Sequence, residues 1–141
     1  MLAVAAGCPL ASGTSAQAAA GVPFLAHQAL YDLSLVKSRG TSMDSARGRI
    51  LYKFSGNTCD GYTSDFRQVS EMASGEGETT LSDLQSTSWE DADGKSYRFK
   101  IATRMNDSDQ SQVDGIAERN GDKIIVKLKK PVAKTFTLDG N

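Results

Sequence analysis

A chain of 141 residues, with 16 Lys plus Arg against 17 Asp plus Glu, makes one domain or part of one. Its net charge of −1 gives no electrostatic reason to expect nucleic acid or an anionic membrane as partner, and a single histidine removes most acid–base and metal arrangements built on two or more imidazoles. Leu, Ile and Val are not abundant, and a chain this small withdraws a limited fraction of its surface from water, so the expected core is thin.

Residues 1–20 carry no charge and differ in kind from the rest of the chain. They are small and weakly apolar, and they end in Ser15-Ala16-Gln17-Ala18-Ala19-Ala20, where Ala16-Gln17-Ala18 fits the A-x-A cleavage pattern of a secretory signal. The positively charged opening of such a signal is missing, so the segment reads as an incomplete signal peptide. It is too short for a transmembrane helix. Two other readings stand beside export with cleavage near Ala19. One is a lipoprotein signal ending at Cys8, although Ala5 occupies the place where Leu is usual; the other is a low-complexity tail.

From Leu25 onward the pattern is strand, turn, strand. Ala29, Tyr31, Leu33 and Leu35 alternate with Leu30, Asp32, Ser34 and Val36, the period of two that marks a half-buried strand. Ser38 to Ser42 breaks it. Ala46, Gly48, Ile50, Tyr52 and Phe54 then share one face, with Arg47, Arg49 and Lys53 on the other. Ser55 to Asp60 and Gly61 supply turn chemistry, and Tyr62 to Val69 returns, giving a β-hairpin with Cys59 at its bend. Ser74 to Glu78 is a polar turn. Leu84 to Glu90 comes next, with Thr87 and Trp89 on one face, and Asp93-Gly94 is a tight hairpin connection. Tyr97, Phe99, Ile101, Thr103 and Met105 form the cleanest alternation, against Arg98, Lys100 and Arg104. Asn106 to Asp109 is expected to turn, Gln112 to Arg119 to return, and Asn120-Gly121 to turn again before strands over Ile124–Leu128 and Ala133–Leu138. No capped helical period survives. The fold expected is an all-β antiparallel meander, an open curved sheet or half of a barrel-like structure. Asp139-Gly140-Asn141 is a turn signal with no strand after it, so the last strand is expected to leave an unpaired edge that invites association.

The candidate chemistry is sparse. His27, at the mouth of the first strand, reads as a surface or edge histidine. Cys59 has no base near it in sequence, and an oxidising compartment favours a disulfide over a nucleophile. Asp91-Ala92-Asp93-Gly94 and Asn106-Asp107-Ser108-Asp109 lack the twelve-residue spacing with a terminal Glu of a calcium loop and read as turns. No serine has the context of a catalytic nucleophile. Lys123, Lys127, Lys129 and Lys130 form a basic stripe, read as protection of an outer strand against edge pairing or, secondarily, as a binding surface. Arg47, Arg49 and Arg67 make either a solvated face or a patch for an acidic partner. These readings expect no catalytic residue, no metal and no cofactor.

Arg47-Gly48-Arg49 with Tyr52 and Phe54, then Cys59-Asp60-Gly61-Tyr62 and Phe66-Arg67, resembles the EipB-like family of cell-envelope integrity proteins. His27 to Leu35, Asp83 to Asp91 and Val113-Asp114-Gly115 extend the resemblance, which runs from about Leu25 to the end of the chain and rests on the order and spacing of these motifs together. It implies a periplasmic, non-enzymatic, all-β protein of open, spiral-like architecture. Residues 21–141 would be the N-terminal portion of its one β domain, truncated at the C-terminal end. It also implies that Cys59 is a disulfide cysteine whose partner, near the C-terminus of longer members, is absent from this chain. The partner implied is a periplasmic protein, of helical-repeat type. A lipid or lipoprotein carrier is the alternative function, because a curved sheet with an apolar inner face can hold an acyl chain; a hydrolase is third.

Overall fold

The computed structural model describes residues 24–36, 43–75, 77–106 and 108–140. The signal, its cleavage at Ala16-Gln17-Ala18, the lipidation of Cys8 and the break over residues 38–42 lie outside the described residues. Eight strands succeed one another: β1 His27–Ser34, β2 Met43–Asn57, β3 Gly61–Ser74, β4 Thr79–Glu90, β5 Ser96–Met105, β6 Ser108–Asn120, β7 Lys123–Lys130 and β8 Lys134–Asp139. They form one sheet in the order β1 to β8, each strand antiparallel to the next. The sheet is not closed, so β1 and β8 are its two edges. The expected all-β meander is the observed architecture.

Three details depart from the expectation. Strands β3 and β4 run on through Ser70–Ser74 and Thr79–Asp83, where apolar alternation fades; Ala73 still pairs with Thr79, and Ser74 N donates to Glu78 O at 2.9 Å, closing the hairpin. The turn expected over Asn106–Asp109 is shorter, because β6 already begins at Ser108. Asn106, with φ at 49°, is fastened to β4 instead: its N donates to Leu81 O at 2.6 Å and its Oδ1 accepts from Leu81 N at 2.8 Å. The third correction concerns the lysine stripe. Strand β7 lies between β6 and β8, so its lysines do not guard an edge.

Register divides the side chains cleanly. Tyr31, Ile50 and Gln68 stand in one cross-strand row, Ala29, Tyr52, Phe66, Ser86, Ile101 and Val113 in another, and Ser88, Phe99, Gly115 and Leu128 in a third, all on one face. This face alternates large apolar groups with small ones and carries almost no charge. Among the described residues it has no second layer. Among the described residues Val126, 7 % exposed, is the one buried hydrophobic side chain, whereas Tyr31, Leu33, Tyr97 and Ile101 of this face are all exposed.

The opposite face is a ladder of ion pairs. Arg49 meets Asp32 and Arg47 meets Glu71 directly across their strands, each at 2.8 Å, and Lys123 meets Asp139 at 2.9 Å. Arg67–Asp83 and Lys127–Glu118, both at 2.8 Å, are diagonal pairs. Arg47, Arg49 and Arg67 are therefore each matched by an acid from a neighbouring strand. Exposed pairs of this sort contribute little apiece, but they set register, because a one-residue slip would carry every charge to the apolar face.

Arg67 grips Asp83 with two donors, Nε to Oδ1 at 3.1 Å and Nη2 to Oδ2 at 2.8 Å. Those hydrogen bonds hold the Asp83 carboxyl below the usual carboxylate range. A depressed folded-state pKa gives stability that is complete above the unfolded value, about 3.9, and is lost as pH falls through the folded value. Arg67 remains more than half exposed, so solvent screening limits the contribution to about 0.2–1 kcal/mol. Urea midpoints at pH 7 and pH 3 should fall further in the parent than in Asp83→Asn; an identical fall in both would contradict the pairing.

Candidate functional site

The bend between β2 and β3 is built from Asn57 outward. Its Oδ1 accepts from Cys59 N at 2.7 Å and Asp60 N at 3.0 Å, an Asx turn, while its Nδ2 donates to Asp60 Oδ2 at 2.7 Å. Gly61 leaves the turn with φ at +79°, a conformation open chiefly to glycine. A Cβ there would lie 2.9 Å from the Trp89 ring and 2.5 Å from the Glu90 carbonyl oxygen. Trp89 closes over the turn and donates from Nε1 to Asp60 O at 3.0 Å. The Cys59-Asp60-Gly61-Tyr62 run is thus a turn locked under an indole. Cys59 itself is exposed and free. It is the one cysteine among the described residues, so the implied disulfide is not formed within them.

Beside this bend, on the apolar face, lies a cavity of about 660 Å³ lined by Phe24, Leu25, His27, Tyr52, Phe54, Tyr62 and Glu90. Phe54 and Tyr62 stack with centroids 5.6 Å apart and planes 13° apart, and Phe24 meets both edge-on at 6.0 and 5.4 Å. His27 packs 5.6 Å from both Tyr52 and Phe54. Its Nδ1 lies 2.9 Å from Leu25 O; a carbonyl only accepts, so Nδ1 is the donor of this bond. His27 is exposed at the mouth of β1, as expected, and its ring forms part of the cavity wall.

The wall is aromatic on most sides with one carboxylate, Glu90. Such a lining fits an apolar chain or ring with a polar end. The hydroxyls in this lining are the phenols of Tyr52 and Tyr62; no serine, threonine or cysteine is among the residues that form it. Sequence patterns do not single out Phe24 or Glu90. Glu90 is nevertheless findable, because it stands opposite Tyr62 and Tyr97 and so shares their face.

Asp91 and Asp93 serve their turn. Asp91 Oδ1 accepts from Lys95 N at 2.6 Å, and Asp93 pairs with Lys95 Nζ at 3.2 Å. In the second Asp-rich segment Asn106 is committed to Leu81, and Asp107 lies outside the described residues. Of the lysine stripe, Lys123 and Lys127 are ion-paired, and Lys130 donates to Gln112 Oε1 at 2.6 Å.

A family model described as EipB-like matches residues 18–141. A relative named cell envelope integrity protein EipB, from Brucella abortus (strain 2308), is 38% identical over 127 residues, which are 89% of this chain and 45% of the relative. A solved Brucella abortus structure, described as a β-barrel-like protein of a domain of unknown function, is similar with a TM-score of 0.78 at 37% identity. That match covers 82% of this chain and 49% of the other. The chain spans about half the length of the relatives it matches.

Proposed function

The chain belongs to the EipB-like family, and from that premise we propose that it supports cell-envelope integrity as a periplasmic, non-enzymatic β scaffold that holds a protein partner. The observation that carries this reading is the apolar face. An eight-stranded sheet with a single buried apolar side chain among its described residues leaves that face available to a protein surface. The relative named for envelope integrity supports that cellular role. The partner class, as the family resemblance implies it, is a helical-repeat protein of the periplasm.

A photo-crosslinking residue at Ile101, on the apolar face, tests this in cells. A discrete adduct with a second periplasmic protein is expected, and a control crosslinker at the ion-paired Arg49 position should give none. Adducts formed only within the protein's own chain would show that the apolar face is covered internally and would remove partner docking there.

A second reading, a lipid carrier, is favoured by the aromatic cavity of about 660 Å³, which is large enough for part of an acyl chain. Native mass spectrometry of protein purified from cells separates the two: a co-purifying acyl species displaced by Phe54→Asp supports the carrier, and ligand-free protein supports the scaffold.

A further inference from the structure

Among the described residues the ion-pair ladder of the charged face has gaps, at Lys53 and Arg104 singly and at one place where three cations stand together. Arg98 and Lys100 of β5, Lys129 of β7, Asp114 and Ile116 of β6 and Trp89 of β4 surround a groove of about 330 Å³. None of the three cations has an acid within ion-pair distance among the described residues, although Arg47, Arg49, Arg67, Lys123 and Lys127 on the same face are each paired.

Two features build the groove. Arg98 lies over the Trp89 ring with its guanidinium carbon 4.9 Å from the ring centroid, a cation–π contact. A guanidinium laid on an indole keeps its N–H edge available, and that planar fork matches the oxygens of a phosphate. The second feature is the register shift between Asp114 and Gly115, which pair with Lys130 and Leu128 and leave Lys129 as the extra residue. Such a bulge re-aims side chains. Here Lys130 reaches Gln112, which alternates with Asp114 and Ile116, while Lys129 lines the groove.

Three unpaired cations beside one carboxylate leave a local excess of positive charge in a protein whose net charge is −1. Asp114 stands opposite Lys100 and Lys130 across the strands but belongs to no ion pair among the described residues, so its carboxylate can accept a hydroxyl. A bare anion would meet only repulsion from it; an anion carrying hydroxyls can offset that repulsion by donating to the carboxylate. We propose that this groove binds a phosphorylated sugar, with the phosphate held by Arg98, Lys100 and Lys129 and a sugar hydroxyl donating to Asp114. The groove lies on the face opposite the aromatic cavity, and the inference does not rest on the partner-docking reading.

Trp89 is the only tryptophan of the chain, so its fluorescence reports this groove together with the turn the indole covers, and the lysine variants below assign a response to the groove. The full chain is titrated with glucose 1-phosphate, with glucose and with poly-glutamate. A further titration uses phosphatidylcholine vesicles with and without phosphatidylinositol 4-phosphate. A saturable change with glucose 1-phosphate, or with the phosphoinositide vesicles, is expected; the first arm alone points to a soluble sugar phosphate and the second alone to a lipid headgroup. Glucose should have no effect. Lys100→Ala/Lys129→Ala should bind at least about tenfold more weakly, as expected when charge-assisted contacts are lost. Lys123→Ala/Lys134→Ala, which removes the same charge elsewhere, should bind as the parent does, with unchanged circular dichroism in both variants. No saturable change with either phosphate probe would overturn the proposal. So would equal weakening in the two double variants, or a response to poly-glutamate alone.

Discussion

Gly61→Ala is expected to lower stability by about 2–4 kcal/mol, a large part of the roughly 5–15 kcal/mol that holds a typical domain. Two costs add. A non-glycine residue at φ +79° carries strain of about 1–3 kcal/mol. The new methyl would also stand 2.9 Å from the Trp89 ring, and 2.5 Å from the Glu90 carbonyl oxygen, which is backbone and cannot swing away. Trp89 must then lift, and its Nε1 bond to Asp60 O, worth about 0.5–1.5 kcal/mol, is strained or lost. Gly77→Ala is the control, because Gly77 has φ at +81° with nothing within 4 Å of an added Cβ. It should show the backbone strain by itself, about 1 kcal/mol. Urea midpoints give both values, and a red-shifted Trp89 emission should appear in Gly61→Ala alone. Equal losses in the two variants would mean that the indole does not lock the turn.

Distance along the chain explains why this turn is only half legible in the sequence. Asn57, Asp60 and Gly61 are turn residues by type, and they suffice to place the bend at Cys59. Trp89 lies 29 residues from the oxygen it bonds, so no local pattern ties it to Gly61. The strands show the same division. Tyr97–Met105 alternates strictly, and β5 lies there; Ser70–Ser74 and Thr79–Asp83 form strand because each satisfies the other's backbone, which side-chain alternation does not reveal. Lys123, Lys127, Lys129 and Lys130 are visible as a stripe, but their meaning is not. Whether β7 is an edge depends on β8 pairing with it, and Lys129 is turned into the groove by a bulge that leaves no mark in the sequence. The aromatic cavity is hidden for the same reason: Phe24, Tyr52 and Tyr62 meet only once three strands are in register.

Oxidation of the chain from Ala19 onward should convert it almost entirely to a disulfide-linked dimer through Cys59. The thiol is exposed on a tight bend, and Cys8, the other cysteine of the sequence, is removed with residues 1–18. The surrounding turn is fixed by Asn57 rather than by the sulfur, so Cys59→Ser should fold with an unchanged urea midpoint and remain monomeric on a non-reducing gel. The family resemblance adds a second consequence. If Cys59 pairs intramolecularly in a longer relative, the bridge closes a loop of more than about a hundred residues, worth on the order of 4–5 kcal/mol in the chain-entropy model. Adding the remaining half of such a relative should then abolish the dimer and protect the thiol, and reduction should lower the stability of the longer chain without affecting the shorter one. A mature chain that stays monomeric after oxidation, with Cys59 still reactive to a small thiol reagent, would show that the bend is screened from a second protein. The dimer and the implied pairing would then have to be given up separately, the first on the gel and the second on the longer chain.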